Sequence, residues 1–312
     1  MNSQKPRSSG ETIERPANNR QALWLLALLV VGIPILLTVV WLPSAKTPTP
    51  AYPSPNGYDD FVEATKLIST TRPDPGSTDI EELGVFLAAN QSALEKVRNG
   101  LAKSCLSSNR YDSAGFTLLM PRISGFKHLA FAFRAEYTVA LADGETNTAT
   151  RSTIDCLHFG IESGRGGVMI ESLVGQAIQE IAMEEFRNIV PVLDHTNAVF
   201  ALTQLKTLEL NVPKAHEILD KESSVRHQFG GMTAYFAYLV GVGRNDVRDG
   251  ERKFASKCQA TENHRKQLAA KLAKRLYELD FGKPATAWPD IVPQYLPAIL
   301  SDAETGKALA FP

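Results

Sequence analysis

The chain has 312 residues, a formal net charge of −1 and 44% hydrophobic residues. That length supports one large domain or two small ones with a self-sufficient core, and the near-zero charge excludes the overall basic footprint of a nucleic-acid-binding protein. The three cysteines, Cys105, Cys156 and Cys258, show no C-x-x-C spacing, which argues against a thiolate metal site.

Residues 1–21 combine Ser, Asn, Pro and charge and read as a disordered tail. Residues 22–42, ALWLLALLVVGIPILLTVVWL, form an uncharged apolar run. A helix of about 20 such residues crosses the hydrocarbon core of a bilayer. Trp24 and Trp41 stand near its two ends, at headgroup level. Gly32 and Pro34 are tolerated in membrane helices, with a kink expected at Pro34. Lys5, Arg7, Arg15 and Arg20 precede the run and only Lys46 closely follows it, so the positive-inside rule puts the N-terminus in the cytoplasm and the rest outside. A cleaved signal peptide is the competing reading. Its apolar core would be about 7–15 residues with an A-x-A-like site behind it, and Pro43-Ser44-Ala45 has proline where a small residue is wanted. The sequence therefore predicts a single-pass protein of the cell (inner) membrane, with lipid as the anchor's partner.

Residues 43–57, PSAKTPTPAYPSPNG, hold five prolines and read as a stiff extended spacer. An all-α body over residues 58–283 follows. A first helix over 58–70 places Phe61, Val62, Ala64, Leu67 and Ile68 on one stripe, with Asp59 and Asp60 in its first turn. RPDPGS breaks the chain, and Thr78 or Asp79 caps a second helix running to about Ser107. A third spans 118–142, its start delayed by Pro121 and Gly125. Asp143-Gly144 turns it into a fourth over 148–162. Gly164, Gly166 and Gly167 end that helix, and a fifth runs over 168–190 to Pro191. Asp194 or Thr196 caps a sixth over 198–210, and Asn211-Val212-Pro213 leads into a seventh over 214–229. Residues 230–243, GGMTAYFAYLVGVG, fit a buried short helix or a membrane-facing flap. The longest helix covers 246–281, with a seam of Phe254, Cys258, Leu268, Leu272, Leu276 and Leu279 that Thr261 and Arg265 interrupt. Gly282 and Pro284 stop it. The tail over 284–312 has room for one or two short extended pieces. Helix–Asp-Gly–helix with Ala140, Ala149 and Cys156 is compatible with a tetratricopeptide-like hairpin, but no period recurs. The expected architecture is an irregular helical-hairpin array closed by a short tail.

The cysteines lie on helical patterns and read as buried small hydrophobes. A Cys105–Cys156 bridge between neighbouring helices is the alternative outside the cytoplasm. Residues 43–243 carry 17 basic and 23 acidic side chains, and residues 244–283 carry 11 basic and 6 acidic. These last are scattered between acids and read as a solvated face, with contact to anionic lipid as the alternative.

Candidate chemistry is thin. His216-Glu217 lacks the second histidine of a zinc-protease helix, and His216 and His227 would be roughly 16 Å apart along their helix, too far to share a metal. Asp155-x-x-His158, with Glu171, Glu180 and Glu184 on the next helix, is half of a di-iron bundle motif that needs two Glu-x-x-His copies. Gly164-Arg165-Gly166-Gly167 could cradle an anion, but lacks the lysine of a phosphate loop. No serine has a nucleophile-elbow context. No catalytic, cofactor-binding or metal residue is therefore assigned. The body is expected to be an interaction or scaffold module with a protein partner and no nucleic acid. The rival is a membrane-tethered hydrolase or metal enzyme using Asp155, His158 and nearby glutamates.

Asn56-Gly57-Tyr58-Asp59-Asp60 behind the spacer, together with RLYELDFGKPATAWPDIVPQYLPAILSDAETGKALAF near the C-terminus, resembles a group of single-anchor helical membrane proteins typical of planctomycetes. The resemblance implies architecture, with no activity to carry over. Within the tail, Val292, Pro293, Tyr295, Leu296, Asp302, Gly306 and Leu309 are similar to the closing segment of type II secretion pseudopilins, with Ala303 where that pattern has proline. A pseudopilin-like assembly would need one helix continuous from anchor to body, against the prolines of the spacer.

Overall fold

A computed structural model of the chain describes residues 51–69, 73–74, 77–109, 111, 113–229 and 244–312. The apolar run at 22–42 and the glycine-rich stretch at 230–243 lie outside the described residues. Among the described residues no helix is long and apolar enough to cross a membrane.

The elements are helical, as the periodicity predicts: α1 (Gly57–Leu67), α2 (Ile80–Leu101), α3 (Ser113–Ala142), α4 (Thr146–Ser163), α5 (Met169–Ile189), α6 (His195–Glu209), α7 (Ala215–Phe229), α8 (Arg244–Phe281) and the short turn α9 (Trp288–Ile291). Caps fix several boundaries. Asp79 accepts from the amides of Glu81 and Glu82 at 3.0 and 3.2 Å, and Asp194 accepts from Asn197 at 2.8 Å; each satisfies donors the first turn leaves open. Gly144 and Gly282 take the left-handed conformation, at φ 77° and 64°, that closes α3 and α8.

Three expectations change. Helix α3 begins at Ser113 and runs through Pro121. The proline is on the exposed side, and buried Gly125 fits against Thr65, so neither residue delays the helix. Helix α2 stops at Leu101, so Cys105 sits in a loop rather than on a helix. That loop finds its hydrogen bonds far away in sequence. Asn56 accepts from the Leu106 amide at 3.0 Å and donates to its carbonyl at 2.8 Å, and the Ser107 amide reaches the Arg165 carbonyl at 2.8 Å. Asn56 and Gly57 thus already belong to the body rather than the spacer. All three thiols are free, Cys105 and Cys156 buried; burial pushes the Cys105 thiol up to about 12.

Helices α1 to α5 pack successively, and α8 returns across α5 and α6. The core of the first half is an edge-to-face aromatic cluster: Phe61 to Phe159 at 5.1 Å, Phe126 to Phe159 at 5.6 Å and Tyr58 to Phe126 at 5.8 Å between ring centroids. Gly160 of α4 and Gly175 of α5 let those two backbones nearly touch. A Cβ on Gly175 would lie 2.4 Å from the Gly160 carbonyl oxygen.

The C-terminal segment straps the second half. Lys206 donates to the Tyr295 carbonyl at 2.6 Å, Trp288 Nε1 to the Leu309 carbonyl at 3.1 Å and Lys274 to the Pro312 carbonyl at 2.7 Å. Its extended character is confined to one antiparallel bridge, Ser301 to Ala308.

Candidate functional site

Asp155, Glu171 and Glu180, singled out by the sequence, are each engaged within the body. Asp155 accepts from Arg98 Nε at 2.8 Å, and the same guanidinium also pairs with Glu136. One arginine thus ties α2, α3 and α4 together. Burial raises the pKa of Asp155 against the opposing pull of Arg98. His158 faces Glu162 at 3.9 Å, and Glu162 in turn holds Arg165 through two bonds of 2.6 Å. Burial lowers the pKa of His158, which favours the neutral ring.

Glu171 is 2% exposed and sits inside a closed polar knot. Its carboxylate accepts from Ser107 at 2.7 Å, Asn109 at 2.6 Å, Tyr111 at 2.6 Å, Tyr58 at 3.3 Å and the Val168 amide at 3.0 Å. Glu180 accepts from Thr261 at 3.2 Å and faces His264 Nδ1 at 2.9 Å. Glu184 is exposed. The five side chains Asp155, His158, Glu171, Glu180 and Glu184 are therefore not brought to one point, and among the described residues no group of three His, Cys, Asp or Glu side chains is arranged to hold a metal ion.

The other sequence candidates resolve as structural features. Gly166, at φ 69°, makes the tight turn after α4. The amides at the start of α5 are already satisfied by the chain's own carboxylates: Glu171 takes the Val168 amide, and Glu222 takes that of Met169 at 3.0 Å. The anion such a helix start attracts is therefore supplied internally. His216 and Asp220 are exposed. Several basic residues of α8 pair locally, as Lys266 does with Glu262 at 2.7 Å and Lys253 with Asp249 at 2.7 Å.

A different site emerges where sequence reading saw only an interrupted seam. Helix α5 presents Ser172, Gln176 and Gln179, spaced to share one face. Helix α8 presents Cys258, Thr261, Glu262 and Arg265, again one face. These two polar stripes border a cleft of about 100 Å³, completed by Gly160 of α4, Gly164 just behind that helix, Glu209 of α6, residues 212–214 and the start of α7. A helix–helix interface is ordinarily apolar, yet Gln176 and Gln179 are each 5% exposed, Thr261 1% and Arg265 3%.

Arg265 anchors the cleft. Its Nε donates to Glu209 at 2.7 Å and its Nη1 to Gln179 at 2.8 Å, which satisfies the rule that a buried charge be paired. Its Nη2 makes no hydrogen bond to any described residue. Gln176 Nε2 donates to Ser172 Oγ at 3.3 Å and to Cys258 Sγ at 3.2 Å, while its Oε1 is buried without a partner. The assignment of amide oxygen and nitrogen follows from this network, and either orientation leaves one polar end unanswered. Lys214 stands exposed at the border of the cleft with no carboxylate in ion-pair range among the described residues. Thr261 and Arg265 were visible in the sequence as breaks in an apolar seam. The matching stripe on α5 carried the same signal, polar residues at intervals of four and three within a core helix.

Comparison with known proteins yields no match to this chain, whether to a family model, a curated protein or a solved structure.

Proposed function

We propose that this chain is a single-pass membrane protein with a cytoplasmic N-terminus, whose helical body stands outside the cell membrane and serves as a protein-interaction or scaffold module. The apolar run at 22–42, its basic N-terminal flank and the prolines behind it support the address. The likeness to planctomycete-type single-anchor proteins belongs to the same proposal. The observation that carries the interaction role is the engagement of the chain's best chemical candidate: Asp155, on which an enzyme reading would rest, gives its carboxylate to Arg98 at 2.8 Å. Stacked helices present broad grooved surfaces for a protein partner, an argument from architecture.

Two measurements test it. Protease added outside spheroplasts digests the body and leaves the N-terminal tail intact; protection of the body refutes the orientation. Crosslinking in intact membranes captures a stoichiometric protein partner. Metal bound to the purified protein in equimolar amount, detected by plasma mass spectrometry, would instead favour the tethered metal enzyme built on Asp155 and His158.

A further inference from the structure

We propose that the groove along the first turns of α2 binds an extended peptide segment of a partner protein, one that carries a basic and an apolar side chain two residues apart. This partner class rests on the interaction role proposed above and not on the anchor.

The groove exists because α1 is short. Helix α1 ends at Leu67, and the chain leaves it where the Ser69 amide donates to Asn90 Oδ1 at 2.7 Å. The stretch of α2 from Ile80 to Ala89 therefore runs on past the end of α1. Helix α3 covers one side of that stretch, where Leu83 and Phe86 are buried beside Phe131 and Ala135. The other side is open. A groove of about 480 Å³ lies there, bordered by the apolar side chains of Pro73, Phe86, Ala89 and Val85, the last 69% exposed. At about 30 Å³ per water it has room for two peptide side chains and the backbone joining them.

Charge selects the occupant. The groove is also bordered by Asp79, Glu81 and Glu82, and by no lysine, arginine or histidine among the described residues. The N-terminus of α2 offsets only about half a charge, so the field in the groove favours a cation and repels a phosphate backbone or an anionic lipid surface. Asp79 already accepts from the Glu81 and Glu82 amides, and Glu82 accepts from Ser77 Oγ at 2.8 Å. The Glu81 carboxylate makes no hydrogen bond or ion pair among the described residues. It is the acceptor that a lysine or arginine of the partner meets.

Spacing sets the pattern. Glu81, Val85 and Ala89 follow one another at intervals of four and share one stripe of α2. Four residues rise about 6 Å along a helix. In an extended peptide, side chains two residues apart stand on one face, roughly 6.5 Å from each other. A basic residue on Glu81 thus sets the apolar one against Val85 and Ala89, while the residue between them faces solvent. Neighbouring residues of such a peptide point to opposite faces and do not reach both.

Isothermal titration calorimetry of the full-length protein in dodecyl maltoside at low ionic strength tests this with four capped tripeptides: Lys-Ser-Leu, the reversed Leu-Ser-Lys, Glu-Ser-Leu and Lys-Leu-Ser. One of the first two binds one to one with a Kd of about 0.1–1 mM. Glu-Ser-Leu binds at least tenfold more weakly and Lys-Leu-Ser at least threefold. Glu81→Lys weakens the bound peptide more than tenfold and Val85→Ser three- to tenfold. Both side chains are exposed, so neither substitution disturbs the core. Absence of saturable heat from both of the first two peptides at about 5 mM overturns the proposal. So does equal binding of Glu-Ser-Leu or of Lys-Leu-Ser, or an unchanged heat from the Glu81→Lys protein, which would place the peptide in the micelle. A partner captured by crosslinking while none of these peptides binds leaves the module role standing and overturns the groove as its site.

Discussion

Tyr111 donates its phenolic proton to Glu171 across 2.6 Å, joining the loop behind α2 to the first turn of α5. Tyr58 of α1 donates to the other oxygen of the same carboxylate at 3.3 Å. Burial first, and the Glu171 charge second, push both phenols above their ordinary range, so both remain donors wherever the protein is folded. Loss of one charge-assisted bond in Tyr111→Phe costs about 1.5–3 kcal/mol. Glu171→Leu strands four buried side-chain donors and costs more than about 4 kcal/mol. Urea titrations followed by circular dichroism measure both. A Glu171→Leu protein as stable as the parent would show that the knot contributes nothing.

The α4–α5 crossing depends on the absence of side chains. A Cβ on Gly160 would lie 2.8 Å from the Gly175 carbonyl oxygen, and one on Gly175 2.4 Å from that of Gly160. Backbone cannot yield as a side chain does, so Gly160→Ala and Gly175→Ala each destabilise by about 1–3 kcal/mol. The double variant costs less than their sum, because the first separation of the helices makes room for the second. Gly250→Ala is the contrast: its Cβ meets nothing within 4 Å, and the gain in helix propensity stabilises α8 by about 0.5–1 kcal/mol. Thermal unfolding of the four proteins gives the order, and a neutral Gly175→Ala would contradict the close approach.

Helix caps and turn glycines were legible because their signals are local. Asp79, Asp194, Gly144 and Gly282 act on neighbours within a few residues. Pro121 misled because local sequence does not say that it faces outward. The loop at Cys105 was hidden because Asn56 and Arg165 satisfy its amides from about 50 residues away in one direction and about 60 in the other. Asp155 and His158 stood out in the sequence as half of a di-iron bundle motif. Sequence spacing could not reveal that Arg98 of α2 would take the carboxylate. The cleft required two helices with polar stripes to face each other across 80 residues of chain, as Gln176 and Cys258 do, a pairing no single-helix pattern encodes.

His158 gives the protein a pH dependence with a definite sign. Burial lowers its pKa in the folded state, so below about pH 6.5 the unfolded chain binds the proton more readily. Stability is therefore intact above that pH and falls as the solution is acidified through it. Asp155 acts in the opposite sense and a lower window: its raised pKa makes its contribution largest in acid and smaller as pH rises through the folded value. Urea midpoints at pH 8, 7, 6 and 5.5 should decline for the parent and decline less for His158→Gln. Parallel curves for the two proteins would remove His158 as the source.

Gln176 carries an unmet polar group inside the α5–α8 seam. Its oxygen is buried without a partner, and its amide donates only to Ser172 at 3.3 Å and to a thiol at 3.2 Å. Methionine fills nearly the same space and removes the unmet oxygen, at the loss of the long bonds to Ser172 and Cys258, so Gln176→Met should stabilise the protein by up to about 1 kcal/mol. Arg265→Met is the opposite case. It strands Glu209 and Gln179, which now take hydrogen bonds at 2.7 and 2.8 Å, and should cost about 3–5 kcal/mol. A purely structural polar seam predicts that both substitutions destabilise, because every member would support the others. A gain at Gln176 beside a loss at Arg265, read from urea midpoints, shows that the two residues act on stability with opposite signs. A destabilised Gln176→Met protein would show that the contacts to Ser172 and Cys258 outweigh the unmet oxygen.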